Sequence, residues 1–293
     1  MPQVHANGID IAYETHGDPA NPPLLLIMGL GAQLTLWPIE LVEALVERGF
    51  YVIRHDNRDI GLSTKFTDAG LPNVRRVALM RLFGLRAKLP YRLTEMAEDA
   101  VALLSALGIA KAHVVGASMG GMIAQLVAIG HPDRVLSLTS IMSTTGNPRL
   151  PRSKPEALAA LMNRPPAGAS MEEVIPFGIA ISRAIGSPAY PAEETRLRER
   201  IERDYQRSFH PTGPGRQLAA ILDDGDRRKR LRGVKVPTLV IHGADDPLVP
   251  VEGGKDTAAA IPGAQLKIIP GMGHDIPLEL VDEIAGAIAG IAR

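Results

Sequence analysis

The chain has 293 residues, enough for two average domains or for one large α/β domain with an insertion. Hydrophobic residues make up 45% and charged residues 22%, a balance typical of folded globular proteins that excludes wholesale disorder. The 32 basic and 32 acidic residues give no formal net charge, which disfavours a dedicated nucleic-acid binder, and the absence of cysteine excludes disulfides, thiolate metal sites and a cysteine nucleophile.

The sequence has neither a secretory signal nor a membrane-spanning run. Residues 1–10 lack a basic start and an apolar centre. No apolar stretch approaches the ~20 residues that cross a bilayer. We therefore expect a cytoplasmic protein without an integral membrane segment.

Short apolar runs alternate with amphipathic stretches along most of the chain. Asn7-Gly8 indicates a hairpin turn before the first run. Strands are predicted at Ile9–His16, Leu24–Met28, Phe50–Arg54, Ala112–Gly116, Val135–Met142, Pro237–His242 and Leu266–Ile269. Helices are predicted at Ile39–Arg48, at Thr94–Leu107 with Thr94 as its cap, at Met119–Ile129, around Glu252–Ile261 and after Pro277. This alternation implies an α/β fold, in which helices cover both faces of a mostly parallel twisted sheet.

Residues 144–234 interrupt this alternation, because they contain no convincing strand and many prolines. A capping box at Ser170 and Glu173 and a charged stretch near Glu193–Arg207 indicate helices instead. We therefore predict a core of residues 1–143 and 235–293 and a helical insertion of residues 144–234.

Val74–Leu93 is the second interruption of the alternation. It contains six basic residues and no acidic residue, and Met, Leu and Phe residues lie between the basic ones. Such a run is suited to an anionic membrane surface or to the attraction of acidic substrates. It also occurs as an ordinary solvated helix face, and this interpretation is favoured.

The sequence Gly116-Ala-Ser118-Met-Gly120 lies between a predicted strand and a predicted helix. This context is typical of a nucleophile elbow, a tight turn that holds a hydroxyl out at the carboxyl edge of the sheet. The flanking glycines are needed because side chains there would clash with the neighbouring strand and helix. Ser118 is therefore the predicted nucleophile.

A serine hydroxyl needs a base, and the base needs an orienting acid; in this type of fold, the acid and then the base follow the serine in the chain. His274 lies in a glycine-rich loop after the last predicted strand and is the predicted base. Asp245 and Asp246 follow the preceding strand. We choose Asp246 as the acid, because Pro247 restricts the backbone directly after it, and we expect Asp245 to be a turn residue.

A tetrahedral intermediate needs two backbone N–H donors. The N–H of Met119 directly follows the nucleophile, and that of Leu30 lies in the Gly-Leu-Gly loop after the strand Leu24–Met28. Trp37, Met142 and Phe177 are candidate substrate-binding residues, together with the side chains of Leu30 and Met119.

These motifs resemble the α/β-hydrolase superfamily over nearly the whole chain outside the insertion. Met28-Gly29-Leu-Gly31, Trp37-Pro38 and Arg54–Ser63 look similar to the branch that contains aclacinomycin methylesterase and related small-molecule esterases. The resemblance implies that the insertion caps the site. Many relatives have His where this chain has Met28, so a side-chain support of the oxyanion loop is missing here.

A dinucleotide-binding site is the main competing interpretation of Met28–Leu34. Leu34 occupies the third glycine position, and Pro38 would fall inside the required helix at a cost of about 3 kcal/mol, so an NAD(P)-dependent oxidoreductase is disfavoured. A carboxylate-nucleophile hydrolase is disfavoured because Ser118 occupies that position. Cofactor-free peroxidase, perhydrolase and acyltransferase activities on the same triad stay open, as does a non-catalytic ligand receptor.

We therefore predict a serine hydrolase that cleaves carboxylic esters of small to medium apolar molecules. The expected partner is a small-molecule ester, with no cofactor, metal or nucleic acid, and a homodimer is possible in principle. Arg58 follows a strand end among acidic residues. It either binds an acidic substrate or pairs with nearby carboxylates to knit its loop together, and the second interpretation is favoured.

Overall fold

A computed structural model describes residues 1–292, which contain one eight-stranded sheet. The strands are β1 (Gln3–Ala6), β2 (Ile9–His16), β3 (Pro23–Ile27), β4 (Tyr51–His55), β5 (Ala112–Ala117), β6 (Val135–Ile141), β7 (Thr238–Gly243) and β8 (Gln265–Ile269). Their order across the sheet is β1-β2-β4-β3-β5-β6-β7-β8. The pairs β1–β2 and β2–β4 are antiparallel and the other five are parallel. The predicted hairpin and the predicted mostly parallel sheet are therefore confirmed.

Helices lie on both faces of the sheet and beyond its edge. They are α1 (Ile39–Glu47), α2 (Val74–Leu82), α3 (Leu93–Ala106), α4 (Met119–Gly130), α5 (Pro155–Met162), α6 (Met171–Ile185), α7 (Glu194–Arg207), α8 (Gly213–Asp224), α9 (Arg228–Leu231), α10 (Glu252–Ala260) and α11 (Val281–Ile291). Within residues 1–292, no helix has both the length and the apolar character needed to cross a membrane.

The stretch between β6 and β7, residues 142–237, is called the helical segment below. It contains α5 to α9 and no strand, as the prolines and charges of this region predict. Its capping box is present at the start of α6, where Ser170 Oγ accepts a hydrogen bond from the Glu173 N–H and Glu173 Oε2 accepts one from the Ser170 N–H.

Strand β3 shows how the sheet separates two apolar layers. Leu25 and Ile27 enter a cluster with α3 and α4, whereas Leu24 and Leu26 enter a second cluster with α1 and α11. All four side chains are fully buried. Because both faces are covered, the strand is apolar at successive positions instead of alternating.

Most predicted boundaries agree with the structure to within one or two residues, but the cap of α3 was predicted wrongly. The helix begins at Leu93, so Thr94 lies inside it. The carboxylate of Glu95 accepts the Arg92 N–H at 3.0 Å and the Thr94 hydroxyl at 2.9 Å. Glu95 therefore provides an acceptor for the N–H of Arg92, the residue before the helix, because its longer side chain reaches back along the first turn.

Arg58 has a structural partner. Its Nε and Nη2 atoms each lie 2.6 Å from a carboxylate oxygen of Asp99 in α3. The guanidinium also packs over the rings of Phe66 and Tyr91, 5.5 and 5.4 Å from their centroids. The geometry therefore agrees with the loop-knitting interpretation, and the bidentate pair leaves little of Arg58 for an acidic substrate.

Two further ion pairs connect the loop after β4 to the helical segment. Asp56 Oδ2 lies 2.7 Å from Arg207 Nη2, and Asp59 Oδ2 lies 2.5 Å from Arg216 Nε. Burial would raise the pKa of Asp59, but hydrogen bonds led by that from Arg216 outweigh it and lower the pKa. Both carboxylates are fully buried, so these pairs join two parts of the chain in a place where water cannot replace either partner.

We expect Asp59→Asn to lower the free energy of unfolding by about 3–5 kcal/mol, since Arg216 would stay buried without its counter-charge. Urea denaturation measures this loss. Arg183→Gln is the control, because the Arg183–Glu194 pair is more than half exposed, and it should cost less than about 1 kcal/mol. Equal losses in the two variants would contradict the buried-pair argument.

Candidate active site

Ser118 occupies the turn between β5 and α4, with φ 56° and ψ −119°. Residues other than glycine rarely adopt this conformation, so the surrounding structure has to enforce it. The Ser118 N–H donates to Ile141 O at 2.9 Å, and the Ser143 hydroxyl donates to Ser118 O at 2.8 Å. Strand β6 and the residues after it therefore hold the elbow from one side.

The glycines of the elbow are required by close backbone contacts. A Cβ atom at Gly116 would lie 2.1 Å from Gly120 O, and one at Gly120 would lie 1.9 Å from Ile27 O. Neither backbone oxygen can move aside without breaking the sheet or the helix. The two glycines therefore let α4 begin directly against β3 and β5, with its N-terminus beneath Ser118.

His274 lies in the loop after β8 and reaches both predicted partners. Its Nε2 atom is 3.0 Å from Ser118 Oγ, and its Nδ1 atom is 2.7 Å from Asp246 Oδ2. Because a carboxylate only accepts hydrogen bonds, Nδ1 donates to Asp246, and Nε2 is the ring nitrogen that faces the serine hydroxyl. Asp245 is exposed and accepts the Gly271 N–H at 2.9 Å instead. The structure thus brings Ser118, His274 and Asp246 together, and leaves Asp245 outside the cluster.

Asp246 is buried and held as a carboxylate. Its Oδ1 atom accepts the N–H groups of Leu248 at 2.9 Å and Val249 at 2.8 Å. Burial would raise the pKa of Asp246, but the neighbouring rings of His274 and His242 and the Val249 N–H lower it well below its usual range. The group facing His274 is therefore a fixed negative charge.

His242 was not among the predicted site residues. Its Nε2 atom donates to Val249 O at 2.8 Å and lies 3.5 Å from Asp246 Oδ2. It is fully buried, so it supports the acid loop from below. Its position four residues before Asp246, at the end of a strand, is the only signal of this role in the sequence.

The end of α6 holds the loop that carries His274. The His274 N–H donates to Ile185 O at 2.7 Å, and the Gly273 N–H donates to Ser187 Oγ at 2.8 Å. The Ser187 hydroxyl in turn donates to Asp275. Burial raises the pKa of Asp275, although the hydrogen bond from Ser187 opposes this effect. Sequence reasoning missed Ser187 and Asp275, because their partners are 86 or more residues apart along the chain.

The loop after β3 lies directly against the elbow. A Cβ atom at Gly29 would be 3.1 Å from Ser118 Cβ, a tight contact, so the lack of a side chain at Gly29 favours this approach. Within residues 1–292, the N–H groups of Leu30 and Met119 donate no hydrogen bond to another part of the protein. Both predicted oxyanion donors are therefore free to meet a ligand atom.

Two amides hold this loop in place of the missing histidine support. The Asn57 side chain donates to Met28 O at 2.8 Å, and Gln217 Oε1 accepts the Gly31 N–H at 2.9 Å. Gln217 also donates to Arg58 O at 3.0 Å. Side chains from the β4 loop and from α8 thus position the oxyanion loop.

The candidate pocket residues lie in different environments. Trp37 is fully buried in the cluster formed with α1 and α11. This burial favours a role in core packing, and contact of Trp37 with a substrate stays a prediction. Met142 is 3% exposed at the carboxyl end of β6, and Phe177 is half-buried in α6. Contact of Met142 and Phe177 with a substrate stays a prediction.

The described residues include no cluster of three or more His, Asp or Glu side chains suited to a metal ion. The groups available for chemistry at the site are thus a hydroxyl, an imidazole, a buried carboxylate and two backbone N–H groups.

Comparison with known proteins gives consistent results. A family model described as the alpha/beta hydrolase fold matches residues 22–279. The chain is similar to the rhodomycin D methylesterases of Streptomyces peucetius and of Streptomyces sp. strain C5, at 31% and 32% identity over 94% of this chain and 93% of each relative. Among solved structures it is similar to the enol-lactonase from Burkholderia xenovorans LB400, with a TM-score of 0.74, 25% identity and 99% of both chains covered.

We expect Gly120→Ala to destabilise the protein by about 3 kcal/mol or more, because the new Cβ would collide with the Ile27 carbonyl. Gly286→Ala is the matched control at an exposed position of helix α11, where a Cβ would meet nothing within 4 Å, and it should be neutral or stabilise by up to about 1 kcal/mol. Thermal unfolding followed by circular dichroism compares the two. A Gly120→Ala protein as stable as the wild type would contradict the packing of the elbow.

Proposed function

Since the chain belongs to the α/β-hydrolase fold family, as its motifs predict, we propose that it is a serine hydrolase that cleaves carboxylic esters of small to medium apolar molecules. The supporting observation is the unbroken chain of hydrogen bonds from Asp246 through His274 to Ser118. In the proposed reaction, Asp246 holds the imidazole proton on Nδ1, so that Nε2 can accept the proton of the serine hydroxyl.

In the first half of the reaction, Ser118 Oγ attacks the ester carbonyl carbon while His274 Nε2 takes the hydroxyl proton. Asp246 keeps the imidazole in the correct tautomer and stabilises the imidazolium that forms. The N–H groups of Leu30 and Met119 hold the developing oxyanion. His274 then gives its proton to the leaving alkoxide, and an acyl-enzyme remains on Ser118.

In the second half, water replaces the alcohol. His274 takes a proton from this water, the hydroxide attacks the acyl carbon, and the proton passes to Ser118 Oγ as the carboxylic acid leaves. The same two N–H donors stabilise the second tetrahedral intermediate. No redox partner or cofactor is needed for this cycle.

Names of the similar proteins favour an ester bond as the target. A methylesterase cleaves a methyl ester, and an enol-lactonase opens a cyclic ester. Both bonds are carboxylic esters, with a carbonyl group and an oxygen leaving group. We therefore propose that the chain cleaves carboxylic esters, and we assign no particular alcohol or acid to the substrate.

We further propose that the helical segment serves as a cap, as predicted for residues 144–234. Its supporting contacts are those of Ser187 with Gly273 and of Gln217 with Gly31. These contacts link the segment to the loop of the proposed base and to the loop of the proposed oxyanion site, so a change in its position alters the geometry of both.

Ser118→Ala should lower kcat for p-nitrophenyl butyrate by ~10⁴-fold or more while the protein stays folded, because the nucleophile is lost but the core is untouched. His274→Ala should cause a similar loss. Hydrolysis assays measure kcat of both variants, and circular-dichroism spectra that match the wild type show that each variant is folded. Turnover by Ser118→Ala close to that of the wild type would refute the proposed function.

Asp246→Asn should reduce kcat by about 10³–10⁴-fold, because an amide favours the wrong imidazole tautomer. Asp245→Asn is the adjacent control, and it should change kcat by less than about threefold, since Asp245 binds only the Gly271 N–H. The reverse order of effects would move the acid by one residue.

A further inference from the structure

The five most exposed large apolar side chains of residues 1–292 all fall between positions 71 and 85 of the sequence. They are Leu71 at 62%, Leu79 at 57%, Leu82 at 80%, Phe83 at 72% and Leu85 at 56% of full exposure. Scattered exposed leucines are ordinary on a protein surface, but such a concentration marks a site of contact. Together with Arg75, Arg76, Arg86 and Lys88, these residues are called the basic apolar patch.

Local structure explains why the patch faces outward. Val77 is the one buried residue of α2, and it packs against Ala219 of α8. Gly84, with φ 71°, reverses the chain after the helix, and the Leu85 N–H donates back to Met80 O at 2.9 Å. Val77 and the partly buried Val74 and Met80 anchor one side of α2, and Leu79, Leu82 and the turn that follows are left in solvent.

The cations of this region divide into two groups. Arg81 and Arg92 point inward, to Asp224 O and to the Asp223 carboxylate. The basic members of the patch are exposed, and within residues 1–292 none of them forms an ion pair. From Val74 to Leu93 the sequence contains no acidic residue. The patch is thus apolar at its most exposed point and positively charged on both flanks.

We propose that the basic apolar patch is a docking surface for a bilayer that contains anionic lipids. Leu82, Phe83 and the neighbouring leucines enter the boundary between headgroups and acyl chains, and the four cations contact lipid phosphates. The helical-face interpretation from the sequence accounts for the charges alone, and does not account for the exposed leucines and phenylalanine between them.

Charge and shape favour lipid over other occupants. A second copy of the chain, placed patch to patch, would bring eight cations together without a carboxylate between them, which is unfavourable. Its two most exposed apolar side chains, Leu82 and Phe83, lie side by side at the end of α2, so they suit insertion into a soft surface. Anionic phosphates supply the complementary charge.

A single helix, α8, connects the patch to the proposed active site. Helix α2 packs on α8, and α8 contacts the oxyanion loop, where a Cβ at Gly31 would lie 3.0 Å from Pro214 Cγ. Docking at α2 therefore places the helical segment beside the bilayer. Binding itself does not depend on the proposed esterase activity, so the two proposals can fail separately.

Co-sedimentation of the full chain with extruded vesicles tests the proposal. Binding should be strong to phosphatidylcholine vesicles with phosphatidylglycerol, weak to phosphatidylcholine alone, and should fall as salt rises from about 0.05 M to about 0.5 M. Leu82→Ser/Phe83→Ser should weaken binding by about tenfold or more, and Arg75→Gln/Arg76→Gln should weaken it chiefly at low salt.

Matched controls come from exposed residues elsewhere. Leu158→Ser/Met162→Ser removes two apolar side chains that are each 48% exposed on α5, and Arg149→Gln/Arg152→Gln removes two exposed charges. Both should bind vesicles like the wild type. Absence of binding to anionic vesicles, or equal binding by all variants, would overturn the proposal. So would self-association that Leu82→Ser/Phe83→Ser abolishes without any vesicle binding.

A Phe83→Trp variant gives a second measurement. Trp37 is the single native tryptophan and is fully buried, so its emission provides a constant background. Anionic vesicles should shift the emission of the new tryptophan to shorter wavelength, and brominated acyl chains should quench it. An unchanged spectrum with bound protein would show that this turn stays outside the bilayer and would overturn the proposed insertion.

Discussion

The contact between the first turn of α4 and the end of β3 is the constraint on which the site depends. Gly120 lies so close to the Ile27 carbonyl that no side chain fits between them. This approach draws the start of α4 to the edge of the sheet and forces Ser118 into its strained conformation. Because the proposed oxyanion loop begins directly after β3, the same contact places that loop beside Ser118, the proposed nucleophile.

The helical segment is hydrogen-bonded to two loops of the candidate site. Through Ser187 it holds the loop of His274, and through Gln217 it holds the loop of Leu30. Arg207 and Arg216 from the same segment neutralise the buried carboxylates of Asp56 and Asp59. Segment and core therefore form one hydrogen-bonded unit, in which the site loops depend on residues far away in the chain.

Charge is distributed unevenly although the formal sum is zero. Several acids are consumed in buried pairs or, like Asp246, in the site, where low dielectric makes each partner essential. Arg75, Arg76, Arg86 and Lys88 form no such pair among residues 1–292 and lie near exposed apolar side chains in the sequence. A balanced sequence can thus present a locally basic surface, because Val74–Leu93 contains six basic residues and no acidic one.

The sequence by itself was sufficient for the α/β architecture and for the identity of the three residues brought together at the sheet edge. Two of the signals are local, namely the continuous apolar strands and the glycines around Ser118. The third is the order of Ser, Asp and His along the chain, and all three can be read from a single sequence. The choice of Asp246 over Asp245 also came from a local feature, the following proline.

Tertiary structure decided what depends on distant partners. The sequence indicated neither Gln217 and Asn57 as supports of the oxyanion loop nor Ser187 as the support of the His274 loop, since hydrogen bonds between separate elements leave no periodic pattern. Trp37 lies near the site in sequence but inside the core in space. Hydrophobic pattern and backbone stereochemistry are local and can be predicted from sequence, whereas polar contacts between loops exist only once packing has brought their ends together.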